Sequence, residues 1–234
     1  MKNIKLILIF LTMILLLGGI IIKEYYVKNE INNIDDALKF KEEYESLNNI
    51  KFGKNKYPNV EISSDNPIVY VDYDQVEEII IKGTGVIYFG FPECPWCRNA
   101  VPQLLKAVED VGIDKVYYFN ALEIRDVKSL DANGNIVVEK EGTKEYEKLI
   151  NILYDYLGEY EGLNNEMIKR LYFPTVIFVK DGTIIGSHIG TLDSQTNPYK
   201  LLNETEKNEL VDIYTDYMLK MLGIICNTDA KEKC

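Results

Sequence analysis

The tetrad Cys94-Pro95-Trp96-Cys97 constrains this chain more than any other feature. It follows Gly85-Val86-Ile87-Tyr88-Phe89-Gly90-Phe91, an apolar run that predicts a buried strand. It precedes residues 98–108, RNAVPQLLKAV, which predict a helix. A strand that delivers C-x-x-C to a helix N-terminus is a redox arrangement. The unpaired N–H groups and the dipole at that end stabilise a thiolate on the first cysteine. A thiolate, not a thiol, attacks disulfides. The two-residue spacer puts the second cysteine one turn away, close enough to displace a mixed disulfide.

Two other uses of the pair compete. Zinc needs four ligands, and beyond the tetrad the chain offers one histidine, His188, with Cys226 and Cys234 at a spacing wrong for a knuckle. No metal is expected. An inert structural disulfide is the other rival.

The N-terminus carries the second strong signal. Leu6 to Ile22 has no charge and is apolar on every face. Its length is at the short end of what spans a bilayer, about 17–25 residues. No small-residue cleavage site and no cysteine follow it, so an uncleaved anchor is expected rather than a removed leader or a lipoprotein. Lys2 and Lys5 before the run favour a cytoplasmic N-terminus, with the rest of the chain outside the cell membrane as a single-pass protein. The formal net charge is −11, which makes nucleic acid and anionic headgroups poor partners.

Residues 1–23 are thus assigned to the cytoplasmic tip and anchor, and 24–59 to a helical stalk and linker. Residues 60–224 form an α/β domain and 225–234 a tail. Ile68 to Val71 predicts a strand, Tyr73 to Lys82 a helix ended by Gly83, and Lys115 to Asn120 a strand. Asn133-Gly134 predicts a hairpin. A calcium loop fails there because Ile136 holds the glycine position and Gly142 the final glutamate position. Glu145 to Tyr160 predicts an amphipathic helix. Residues 171–190 predict two strands joined by Asp181-Gly182, and Leu201 to Leu222 a closing helix.

With strand, CPWC and helix followed by Phe173-Pro174-Thr175, the Asp181-Gly182 hairpin and a final helix, the chain resembles the thioredoxin superfamily over about residues 60–222. The anchored layout resembles extracytoplasmic thiol–disulfide oxidoreductases of Gram-positive bacteria, including bacteriocin-transport accessory proteins. The resemblance implies a central mixed sheet flanked by helices. It implies Cys94 as nucleophile, Cys97 as resolving thiol and Pro174 as a cis-proline. The peptide group of Phe173 would then pair with substrate. It implies exported protein thiols and disulfides as substrates, a membrane electron donor or quinone-linked oxidant as partner, and no cofactor. Trp96 is either a substrate contact or packing.

Several positions depart from the family. Its reductants usually carry a buried carboxylate six residues before the first cysteine, where this chain has Tyr88. The lysine often opposite it is replaced by Tyr118 or Phe119. Glu93 is expected to disfavour the Cys94 thiolate and Arg98 to favour it. The Pro95-Trp96 dipeptide is closer to glutaredoxin-like and DsbA-like motifs and argues against a strongly reducing role. Residues 121–170 form an insertion before the cis-proline strand, bordering the substrate groove. Cys226 and Cys234 form either a structural disulfide or a second redox pair. The competing functional class is an accessory module that holds exported peptides while its cysteines stay oxidised.

Overall fold

The structure, a computed structural model, describes residues 34–224 and, singly, 18 and 23. The expected anchor and the pair Cys226 and Cys234 lie outside the described residues. Among the described residues no helix is long and apolar enough to cross a membrane.

A five-stranded mixed sheet organises the described residues. Its strands are β3 (Ile68–Tyr70), β4 (Gly85–Phe89), β5 (Val116–Phe119), β10 (Thr175–Lys180) and β11 (Thr183–Ile189), in the order β11-β10-β4-β5-β3. The first three run parallel, and β10 and β11 add antiparallel. All five side chains of β4 are buried, as a continuous apolar run predicts for a strand covered on both faces.

Helix α2 (Tyr73–Lys82) starts at a capping box of Asp72 and Gln75 and stops at Gly83. A Cβ at Gly83 would press on the Ile79 backbone. The β10–β11 turn uses Asp181 and Gly182, both at positive φ. Gly182 also lies against the Ile81 carbonyl, where a side chain would not fit. Helix α3 (Pro95–Val111) follows β4 and packs on α5 (Glu204–Leu222). Helix α5 begins a little later than its apolar pattern suggests because Asn203 caps it, with Glu206 completing the box.

Of the segment read as a stalk and linker, residues 34–59 pack into the domain instead. Residues 34–45 form a helix, α1, whose Ala37, Phe40 and Tyr44 join the main core. Phe40 meets Tyr118 edge-on at 5.0 Å, and Asp36 accepts from the Tyr70 amide. The following chain forms a two-stranded ribbon, β1 (Lys51–Phe52) with β2 (Asn55–Lys56). It then buries Tyr57, Val60 and Ile62. A polar surface misleads here: three apolar residues on one helix stripe suffice to dock it.

Residues 121–170 intervene between β5 and β10. They contain the hairpin β6 (Val127–Leu130) and β7 (Ile136–Lys140), helix α4 (Lys144–Ile152), one 3₁₀ turn (Tyr154–Tyr156) and the ladder of β8 (Gly158–Glu159) with β9 (Lys169–Arg170). The turn at Gly134 is braced by Asp131, whose carboxylate accepts from the amides of Asn133 and Asn135. The helix is shorter than the predicted Glu145 to Tyr160. Pairing of Gly158-Glu159 with Lys169-Arg170, and the bond from the Tyr156 hydroxyl to the Ile184 carbonyl, hold the later residues out of helix. Tyr146, Leu149, Leu153 and Leu157 of this segment enter the main core.

Candidate active site

The end of β4 hands the chain through Gly90 to Pro92 into Cys94, the N-cap of α3. Its side chain performs the cap: the Cys97 amide donates to the Cys94 sulfur at 3.3 Å. Pro95 occupies the first helical position, where its missing N–H costs nothing. Cys94 is 6% exposed and Cys97 fully buried, and both are free thiols. The Cys94 thiol is lowered from its ordinary value. Its hydrogen bond with Cys97 is the largest cause, and the amides of Cys97 and Trp96 and the charge of Arg125 add to it against burial. Burial pushes Cys97 the other way, well up. The two environments therefore separate a ready thiolate from a reluctant one.

The second wall of the site comes from far along the chain. The Phe173–Pro174 peptide bond is cis. The Cys94 thiol reaches the Phe173 carbonyl at 3.5 Å. Phe91 packs edge-on against Phe173 at 5.4 Å. The Tyr172 carbonyl accepts from the Thr175 hydroxyl at 2.8 Å, which ties down the peptide just before the proline. Cys94, Phe173 and Pro174, predicted together from sequence, are brought together. Trp96 is half-buried and packs at the margin of the core.

Two tuning expectations change. Arg98 does not face the Cys94 sulfur. It is 0% exposed, and its guanidinium donates to the carbonyls of Pro58 at 2.7 Å, Tyr44 at 2.7 Å and Pro92 at 3.3 Å, and to Asn48 Oδ1 at 2.7 Å. It is a clamp that fastens α1 and its following loop to α3. Glu93 is exposed, and its charge bears on Tyr57, Arg98 and Tyr118.

The cation near Cys94 is Arg125, from the start of the 121–170 segment. Its guanidinium lies 4.8 Å over the Phe173 ring and donates to the Leu171 carbonyl at 3.3 Å. Nothing local in the sequence singles out Arg125. The indication that was available is positional: the segment that contains it enters beside Pro174.

Behind the thiols, Tyr88 stands opposite Tyr118 in the β4–β5 register, and the rings stack at 5.5 Å. Tyr118, not Phe119, is therefore the partner of Tyr88. The Tyr88 hydroxyl meets that of Tyr44 at 2.8 Å. A cleft of about 650 Å³ between α1, β3 and α3, lined by Ile34, Ile62, Leu105 and Ile113, contains neither cysteine and lies apart from this chemistry. Among the described residues no cluster of three histidine, cysteine or acidic side chains is placed to hold a metal.

No family model and no curated protein matches the chain. Among solved structures, oxidised thioredoxin O2 from Arabidopsis thaliana aligns over 53% of this chain and 84% of its own, at 14% identity and a TM-score of 0.32. A likeness that slight carries no argument about chemistry. The α/β architecture itself, a central mixed sheet with flanking helices, fits a thioredoxin-like fold.

Proposed function

We propose that this chain is a thiol–disulfide oxidoreductase that acts on exported proteins outside the cell membrane, held there by residues 6–22. The observation that carries the chemistry is the Cys94 sulfur, capped by the Cys97 amide and set beside the carbonyl that precedes cis-Pro174. The location rests on the uncharged run Leu6 to Ile22 and the lysines before it.

In one direction the Cys94 thiolate attacks a substrate disulfide. One substrate sulfur joins Cys94 and the other leaves with the bonding electron pair. Cys97 then attacks the Cys94 sulfur, closes the Cys94–Cys97 disulfide and releases the second substrate thiol. Run backwards, the same steps donate a disulfide. Phe173 offers its peptide group to an extended substrate beside the thiol. A membrane electron donor or oxidant restores the starting state, and no metal or organic cofactor enters the cycle.

A Cys97→Ser variant tests this. It should accumulate mixed disulfides with exported proteins that disappear on reduction, and Cys94→Ser should form none. Equal, reducible adducts with Cys94→Ser would refute the assignment of the nucleophile. A second reading, a module that holds exported peptides over an inert disulfide, draws on the 121–170 segment, which reaches Phe173 through Arg125. It requires that a Cys94→Ser, Cys97→Ser chain keep full function in cells, whereas exchange requires that it lose it.

A further inference from the structure

We propose that the β1–β2 ribbon docks on the anionic lipid surface beside the anchor and turns the Cys94 end of the domain towards the bilayer. The proposal rests on the membrane-held location proposed above and adds to it a second contact and an orientation.

The ribbon carries charge opposite to that of the whole chain. The formal net charge is −11, yet residues 46–60, SLNNIKFGKNKYPNV, hold Lys51, Lys54 and Lys56 and no acid. All three lysines are exposed, and Phe52 among them keeps 61% of its surface in solvent. Among the described residues the ion pairs engage other lysines and none of these three. Lys56 donates to the neutral Asn49 side chain at 2.8 Å, which leaves its charge uncompensated. Of the acids that flank the segment, Glu45 is paired with Lys41 at 2.6 Å and Glu61 is exposed. Glu93 acts at the base of the ribbon, on Tyr57. Charges are screened beyond about 8 Å in physiological salt. A surface that touches the ribbon therefore meets its lysines rather than the net charge.

The composition of the ribbon serves folding poorly. Lys51 stands directly opposite Lys56, and like charges so placed weaken a ladder. Gly53, at positive φ, makes the turn with Lys54. Lysines around an exposed aromatic ring suit a headgroup layer, where the ammonium groups meet phosphates and the ring enters the acyl boundary.

The tether is long enough. Residues 23–33 separate the uncharged run from α1 and can extend up to about 36 Å. Helix α1, which leads from that tether to the ribbon, is about 18 Å long. Tethering also keeps the ribbon at high effective concentration near the surface, so a modest attraction suffices. Each lysine there favours contact about fivefold, and three together about a hundredfold.

Docking would orient the redox pair because the base of the ribbon is fastened to it. The Asn48 side chain bonds the Val60 amide at 2.9 Å and the Val60 carbonyl at 2.7 Å. Arg98, the residue after Cys97, donates to Asn48 Oδ1 and to the Pro58 carbonyl, each at 2.7 Å. A docked ribbon thus holds the first turn of α3 towards the bilayer, where a membrane electron donor or oxidant would meet Cys94.

The test uses the full chain in vesicles of phosphatidylcholine, alone or with phosphatidylglycerol, made with brominated acyl chains. Trp96 is the one tryptophan, so Trp96→Phe with Phe52→Trp moves the fluorescent reporter to the ribbon. Its emission should be quenched in the anionic vesicles, spared in the neutral ones and restored by high salt. Adding Lys51→Gln, Lys54→Gln and Lys56→Gln should abolish the quenching, a loss of about a hundredfold in contact. Amide exchange over residues 50–56 of the unaltered chain should slow on anionic vesicles alone, which serves if the reporter variant folds poorly. Emission and exchange indifferent to lipid charge, or quenching that survives the three glutamines, would overturn the proposal. So would equal protection of those amides by an acidic peptide without lipid, which would give the ribbon a protein partner. A chain that alkaline carbonate washes off the vesicles would overturn the anchored location itself. That result is distinct from an embedded chain whose ribbon ignores lipid charge.

Discussion

Two arginines separate tuning from scaffolding at the level of single residues. Arg125 lies over the Phe173 ring and its charge favours the Cys94 thiolate. Arg125→Gln should therefore move the Cys94 titration, followed by thiolate absorbance, to higher pH. It should slow attack by a few-fold at mildly acid pH, where the thiolate fraction limits the rate. An unmoved titration would remove Arg125 from the site. Arg98 bonds four neutral acceptors and nothing at the Cys94 sulfur. Arg98→Leu should cost about 3 kcal/mol or more of stability, because it strands buried acceptors. Denaturant melts measure that loss, and the Cys94 titration should stay in place. The sequence invites the opposite assignment because Arg98 is adjacent to the motif and Arg125 is remote. Adjacency along the chain at a helix N-terminus does not fix which way a long side chain points.

Among the elements, the one furthest from its sequence-based expectation is α1. The strands around Cys94, the Asp181-Gly182 hairpin and the final helix were legible because each combines an apolar period with a turn or cap residue. The proline at 174 was legible only through resemblance, since spacing alone says nothing about which peptide bond is cis. Helix α1 was not legible as core because most of its residues are polar, and its few apolar ones meet partners at Tyr70, Tyr88 and Tyr118 that only the fold assembles. The consequence is measurable. Phe40→Ala should cost about 3–5 kcal/mol, as for other buried phenylalanines. A fragment beginning at residue 60 should lose cooperative unfolding, whereas one beginning before residue 34 should keep it. A sharp melt from the shorter fragment would restore the stalk.

Across the whole molecule, the sheet carries its own acid sensitivity. His188 on β11 is held below the ordinary histidine range by burial, against the pull of the Thr191 carbonyl and Asp193. As pH falls through about 6.5 the unfolded chain takes up the proton before the folded one, so folding stability drops. His188→Gln should shrink the fall in thermal midpoint between about pH 7.5 and about pH 5.5 relative to wild type; an identical fall in both would acquit this histidine.

The central claim, that Cys94 and Cys97 form a working redox pair, is tested most directly by their reduction potential in glutathione buffers, read by alkylation of the free thiols. A thiolate stabilised by the helix cap and Arg125 favours the reduced form. The pair should therefore interconvert fully and reversibly, with a midpoint less negative than that of thioredoxin, about −270 mV, and towards that of DsbA, about −120 mV. A pair that stays in one form across that whole range would contradict the account.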